Sequence, residues 1–170
     1  MKLFYVIIFL LTTVFSQVQE RIKTSEIYIS KEIAYKESNN TIFTGIAEYR
    51  KNNGHLVFEK EYTNGYITKY TLYYNTDEKI VSDETLYYEN NIKKRHIIFA
   101  SSSDYPLKTI TDFDLNGKKT LEEQYLGDKL IYHCEYFNGK KHGTIYSIDK
   151  NNVKHSCTYN NGKKIKYTAS

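Results

Sequence analysis

The sequence predicts an all-β protein: a single-layer antiparallel meander of repeated β-hairpins, elongated and curled, after an N-terminal leader. Three observations predict it. Asn-Gly pairs recur at Asn64-Gly65, Asn116-Gly117, Asn138-Gly139 and Asn161-Gly162. A two-residue Asn-Gly is the strongest short-range hairpin signal, because a type I′ turn needs positive φ at both central residues. The segments between turns are of strand length and alternate polar with apolar residues at period 2. Finally, 18 Tyr and 8 Phe against one Pro, 8 Gly and no Trp suit half-buried strands, where a ring packs and a hydroxyl stays wet.

Residues 1–17, "MKLFYVIIFLLTTVFSQ", read as a secretory signal peptide: Lys2, an apolar run from Leu3 to Leu11, then small and polar residues with cleavage near Ser16 or Gln17. The run is short for a bilayer span, which takes about 20 apolar residues. No cysteine follows it to serve as a lipid anchor. The expected mature chain, 18–170, is then one soluble domain of about 150 residues, located in the periplasm or outside the cell. The net charge is +4, and the leader removes only Lys2. The charges alternate in sign along the chain, so no basic block argues for nucleic acid.

The elements follow in order. Between 18 and 37 a helix is the alternative to extended chain. "NNG" at 52–54 closes a first hairpin, and in 55–63 Leu56, Phe58 and Tyr62 oppose Glu59 and Glu61, which share a solvated face. After Asn64-Gly65, Tyr70, Leu72 and Tyr74 oppose Lys69, Thr71 and Tyr73. Looser turns follow at 75–77 and 90–91, and "SSSDYP" at 101–106 is a longer loop. Beyond Asn116-Gly117 and the turn at 127–128, Leu130, Tyr132, Cys134 and Tyr136 oppose Lys129, His133 and Glu135. After the turn at 150–152, Val153, Cys157 and Tyr159 oppose Lys154, Ser156 and Thr158. The count is 11 or 12 strands after the leader.

The pattern is an internal repeat of about 22 to 25 residues. Cys134 and Cys157, Tyr136 and Tyr159, and Asn138 and Asn161 are each 23 positions apart. Asn-Gly reverses the chain, and the lysines after it start the next strand on its wet side or rim. Equivalent cysteines two strands apart sit about 10 Å from one another, beyond the roughly 7 Å a disulfide tolerates, so both are read as reduced. The turn at 138–139 places Cys134 opposite Gly143, the turn at 150–152 places Cys157 opposite Ile145, and Tyr159 is expected to lie across Gly143.

"YFNGKKHGTIYSIDKNNVKHSCTYNNGKK" resembles the bacterial variant of the MORN repeat, whose units read aromatic-x-x-Asn-Gly-Lys, a strand, then Tyr-x-Asn-Gly-Lys-x-x-Gly. The close match covers 113–164, and degenerate units reach back to 43–65, whereas 66–110 departs from the pattern. The resemblance implies an elongated meander without an active site. It also implies an exported or antitoxin-like protein.

Candidate chemistry is sparse. His133, His142 and His155 lie near the cysteines in sequence, but alternation puts His133 and Cys134 on opposite faces, which does not give the four converging ligands of a structural zinc site. Glu122 and Glu123 split across faces, and no nucleophile sits beside a base. No catalytic, metal, cofactor or small-molecule site is expected. The expected function is an exported, non-enzymatic module that binds another protein, as an antitoxin or immunity component in one version. Binding would use the face bearing Tyr70, Tyr74, Tyr132, Tyr136 and Tyr159, or an exposed edge strand. The alternative is an envelope- or lipid-associated structural protein whose lysine-bearing turns touch anionic headgroups.

Overall fold

The computed structural model describes residues 19–100 and 107–165. The expected leader and the loop at 101–106 lie outside them. The chain is all-β. Strands β4 (Gly45–Arg50), β5 (Leu56–Thr63), β6 (Tyr66–Tyr73), β7 (Val81–Tyr87), β8 (Lys93–Ala100), β9 (Leu107–Phe113), β10 (Lys119–Leu126), β11 (Lys129–Phe137), β12 (Lys140–Ile148), β13 (Lys154–Asn160) and β14 (Lys163–Ile165) form an antiparallel meander. β1 (Arg21–Lys23) completes a 12-stranded open sheet at the edge, parallel to β4.

Where a helix is the alternative, the described stretch 19–37 holds no α-helix, only one 3₁₀ turn at Thr24–Glu26. Its other residues form β1 and a separate hairpin of β2 (Ile27–Ser30) and β3 (Ile33–Lys36). This hairpin carries no sequence turn signal. It reverses through Lys31 and Glu32, both at positive φ (48° and 68°). A β-carbon makes such φ unfavourable, so tertiary packing holds it in place. The hairpin lies over one face of β4–β6, where Ala34, Phe43, Ala47 and Tyr62 form the buried core, with Ile22, Ile27 and Ile67 against it.

Two turn classes recur along the meander. Asn64-Gly65, Asn138-Gly139 and Asn161-Gly162 are two-residue turns with positive φ at both positions, as the sequence predicts. Asn116-Gly117 is not: only Gly117 has positive φ (72°), and the loop spans 114–118. Its Asp114 amide donates to the Lys118 carbonyl and the Gly117 amide to the Asp114 carbonyl, both at 2.9 Å. The Asp114 side chain accepts from the amides of Asn116 and Lys118, which favours the wider loop over a type I′ turn. The same hydrogen-bond pair recurs at 51–55, 88–92 and 149–153, with Asp149 repeating the role of Asp114.

Register fixes the faces. One unbroken row across ten strands runs Tyr49, Phe58, Leu72, Asp83, Ile98, Thr109, Gln124, Tyr132, Ser147, His155. We call this the front face. A row on the back runs Glu48, Glu59, Thr71, Glu84, Ile97, Ile110, Glu123, His133, Tyr146, Ser156. Two expectations change. Glu59 is not solvated but buried, and so are Thr71 and Tyr73 beside it, because polar partners close over the back face there. Cys134 is not opposite Gly143: a register shift between His133 and Glu135 leaves Gly143 at positive φ. The other pairings hold, with Cys157 opposite Ile145 and Tyr159 opposite Gly143.

Candidate binding face

Alternation puts Tyr70, Tyr132, Tyr136 and Tyr159 on the front face, as expected. Tyr70 sits in a front row with Ala47, Lys60, Thr85, His96, Thr111, Glu122 and Cys134. Tyr74 does not join them. It lies past the end of β6, and its hydroxyl donates to the Phe99 carbonyl.

At the N-terminal end the front face is an aromatic patch. Tyr49 stacks on Phe58 at 5.4 Å, Phe58 meets Tyr70 at 5.6 Å, and the Lys60 ammonium lies 5.5 Å over the Phe58 ring. Tyr49 is 45% exposed and Ile98, further along the row, 43%. No residue of the hairpin β2–β3 is hydrogen-bonded into this row, whereas the same hairpin buries Ala47 and Tyr62 beside it. An open cleft of about 600 Å³ adjoins Tyr49, lined by Lys23, Thr24, Ser25, Glu48 and Arg50 among others.

Toward the C-terminus the tyrosines are half-buried beneath lysines. Lys119 lies 5.0 Å over Tyr136 and Lys141 lies 5.7 Å over Tyr159. These are the second lysines of successive Asn-Gly-Lys-Lys phrases over the tyrosines that precede the next Asn-Gly. The repeat therefore also encodes a cation–π contact. Glu122 accepts from Lys119 at 2.8 Å and from the Tyr136 hydroxyl at 3.1 Å. Burial pushes the Glu122 carboxyl up, but those bonds and the Lys119 charge outweigh it and hold it below the usual range. Burial first, then the neighbouring Cys134 thiol, pushes the Tyr132 and Tyr136 phenols well up, so both remain neutral. Cys134 is fully buried between them; Cys157, two strands on, is half-buried.

The sequence reading missed the most enclosed charge, Glu59. Its carboxylate accepts from Arg21 at 2.5 Å, from the Tyr73 hydroxyl at 2.5 Å and from Lys79 at 3.2 Å. Burial raises its pKa, and the three donors more than reverse that, leaving it below the usual carboxylate value. Tyr73 is pushed well up by burial and by Glu59. With both oxygens occupied, Glu59 acts as a tie between β1, β6 and the 74–80 turn. Its acidic type on an alternating strand was the only local signal, and Arg21 lies 38 residues away.

The three histidines meet different partners: His133 Nδ1 meets Glu123 at 3.0 Å, His155 meets Asp149 at 3.0 Å, and His142 Nδ1 accepts from the Asn161 amide. Among the described residues, no three His, Cys, Asp or Glu side chains converge on a common point. What the front face offers is contact area with polar tips and capped rings. Compared with models of known families, with curated proteins and with solved structures, the chain matches none.

Proposed function

We propose that this chain is a non-enzymatic β-repeat module, exported to the periplasm or beyond, that binds another protein through the front face of its sheet. One observation carries the reading: the front row Tyr49, Phe58, Leu72, Asp83 and Ile98 across β4–β8, apolar on every strand but β7, with Tyr49 and Ile98 exposed and Phe58 and Leu72 half-buried between them. Aromatic residues at the centre of a patch, with charged groups such as Lys60 and Asp83 beside them, are the composition of a protein-binding core and its rim. The sheet edges support this less. β14 is three exposed residues, two of them lysine, and β1 is three residues long. Short, lysine-bearing edges deter strand addition. An antitoxin or immunity role is the version that the repeat resemblance suggests, with a toxin as the protein bound.

The test is a photo-crosslinking residue placed at Ile98 on the front and, separately, at Glu84 on the back, in the native host. The captured protein is then purified and titrated against the wild type and a Tyr49→Ser/Ile98→Ser variant. Front-face crosslinking and an affinity loss of about tenfold or more are expected. Equal crosslinking from both faces, or equal affinity of the variant, overturns the reading.

A further inference from the structure

Every second turn of an antiparallel meander lies at the same end of the strands. The turns before β8, β10, β12 and β14 therefore share one rim. A lysine pair stands at the start of each of these strands: Lys93-Lys94, Lys118-Lys119 (Lys118 being the last residue of the turn), Lys140-Lys141 and Lys163-Lys164. Linear sequence shows no basic block, yet the topology gathers these charges into a line. Successive pairs are two strands apart, about 10 Å. All but Lys119 are exposed, and only Lys119 has a carboxylate within ion-pair distance among the described residues. The acids on this stretch of rim are Glu89, Asp114, which is occupied by its own turn amides, Glu122, which is paired with Lys119, and Glu32, whose backbone carbonyl accepts from Asn91 at the first of these turns. The opposite rim is mixed, with Asp77, Glu78, Asp128 and Asp149 set among Lys79, Lys129 and Lys150.

We infer that this rim binds a linear anionic polysaccharide, at a site separate from the front-face row. A line of point charges one sheet thick suits a chain more closely than a plane. Lysine ammonium groups suit sulfate or carboxylate without demanding bidentate geometry. The spacing suits anionic groups carried at disaccharide intervals; nucleic-acid phosphates fall about every 3.4 Å along a strand. Single-stranded nucleic acid also wants open ring faces for stacking, whereas Tyr88, Tyr136 and Tyr159 are capped by Lys94, Lys119 and Lys141. Leu115 and Phe137, 61% and 57% exposed on the same rim, offer apolar surface to the C–H faces of sugar rings.

The experiment uses the purified mature chain and immobilised heparin at about 0.15 M salt. A rim variant carrying Lys94→Gln, Lys118→Gln, Lys140→Gln and Lys163→Gln is compared with an opposite-rim variant, Lys129→Gln/Lys150→Gln. The rim variant is expected to bind about tenfold or more weakly and the control within about twofold, with the wild-type affinity falling steeply as salt rises. Lysine acetylation of the wild type, read by mass spectrometry with and without heparin, tests the same site without substitution; protection should fall on the rim lysines and spare Lys129 and Lys150. Absence of heparin binding, equal loss in both variants, or uniform protection overturns the inference. So does tighter binding, at the same salt, to duplex DNA or to phosphatidylserine vesicles than to heparin.

Discussion

Two glycines at equivalent places in Asn-Gly turns have different surroundings, and that decides what a substitution does. A β-carbon at Gly139 would meet nothing within 4 Å, so the cost there is the positive φ of 74° alone. At Gly65 the same atom would sit 2.3 Å from Ile33 Cγ2, in addition to φ of 80°. Gly139→Ala is expected to destabilise by about 1 kcal/mol and Gly65→Ala by about 3 kcal/mol, measured by urea unfolding. Lys140→Ala, an exposed lysine next to the tight turn, should stay within about 0.5 kcal/mol. The Lys31-Glu32 turn inverts the logic. Replacing it with Asn-Gly should stabilise the protein by about 1 kcal/mol, because it removes two unfavourable φ angles and keeps the Glu32 carbonyl that accepts from Asn91. A lower denaturation midpoint for that double variant would show that the two side chains make a contact worth more than the strain. The Asn-Gly turns were legible because their φ requirement is written in two adjacent residues. Lys31-Glu32 was not, because nothing local asks for a reversal there.

At the level of strands, what a side chain meets depends on its neighbours across the sheet. Cys134 and Cys157 occupy equivalent repeat positions on β11 and β13, with β12 between them. Cys134 is fully buried and Cys157 is not. Alkylation of the native protein should therefore modify Cys157 well before Cys134, with both reacting after unfolding without reductant; a reversed order would place the buried face of β11 wrongly. Glu59 ties three elements, and its depressed pKa gives the sign of its pH dependence. A carboxylate whose folded pKa lies below its usual 4.5 contributes stability that is present above that value and is lost as pH falls through the folded pKa. Glu59→Gln should cost about 1–2 kcal/mol at neutral pH, less than a fully buried pair because Arg21 and Lys79 are half-exposed and solvent screens them. The same variant should show a shallower loss of stability below pH 4.5 than the wild type.

Across the molecule, burial is uneven. Among the described residues, Ala34, Phe43 and Ala47, three of the four fully buried apolar residues, cluster where the hairpin β2–β3 covers β4–β6; the fourth, Cys134, lies alone on β11, and β14 is exposed throughout. Stacked hairpins share stability mainly with their nearest neighbours. Hydrogen exchange should then be slowest in β4–β6 and fastest in β13–β14, and Phe43→Ala should cost about 3–4 kcal/mol. Uniform protection along the sheet would mean that the meander unfolds as one unit. The same asymmetry separates the two proposed surfaces. The aromatic row lies next to the best-packed end, and three of the four lysine pairs on the rim belong to the regular repeats.

By itself the sequence determined the class, the hairpin period, the tight turns at 64–65, 138–139 and 161–162, and the shared face of Tyr70, Tyr132, Tyr136 and Tyr159. Those depend on period-2 alternation and on the φ preferences of adjacent residues, both local. Only the tertiary structure decided the parallel pairing of β1, the burial of Glu59 and the alignment of four lysine pairs on one rim. Each of these needs the register accumulated over many strands and bulges, and a slip of a single residue sends a side chain to the other face. Partners brought together across 38 residues leave no mark within any window of the chain short enough to read as a motif.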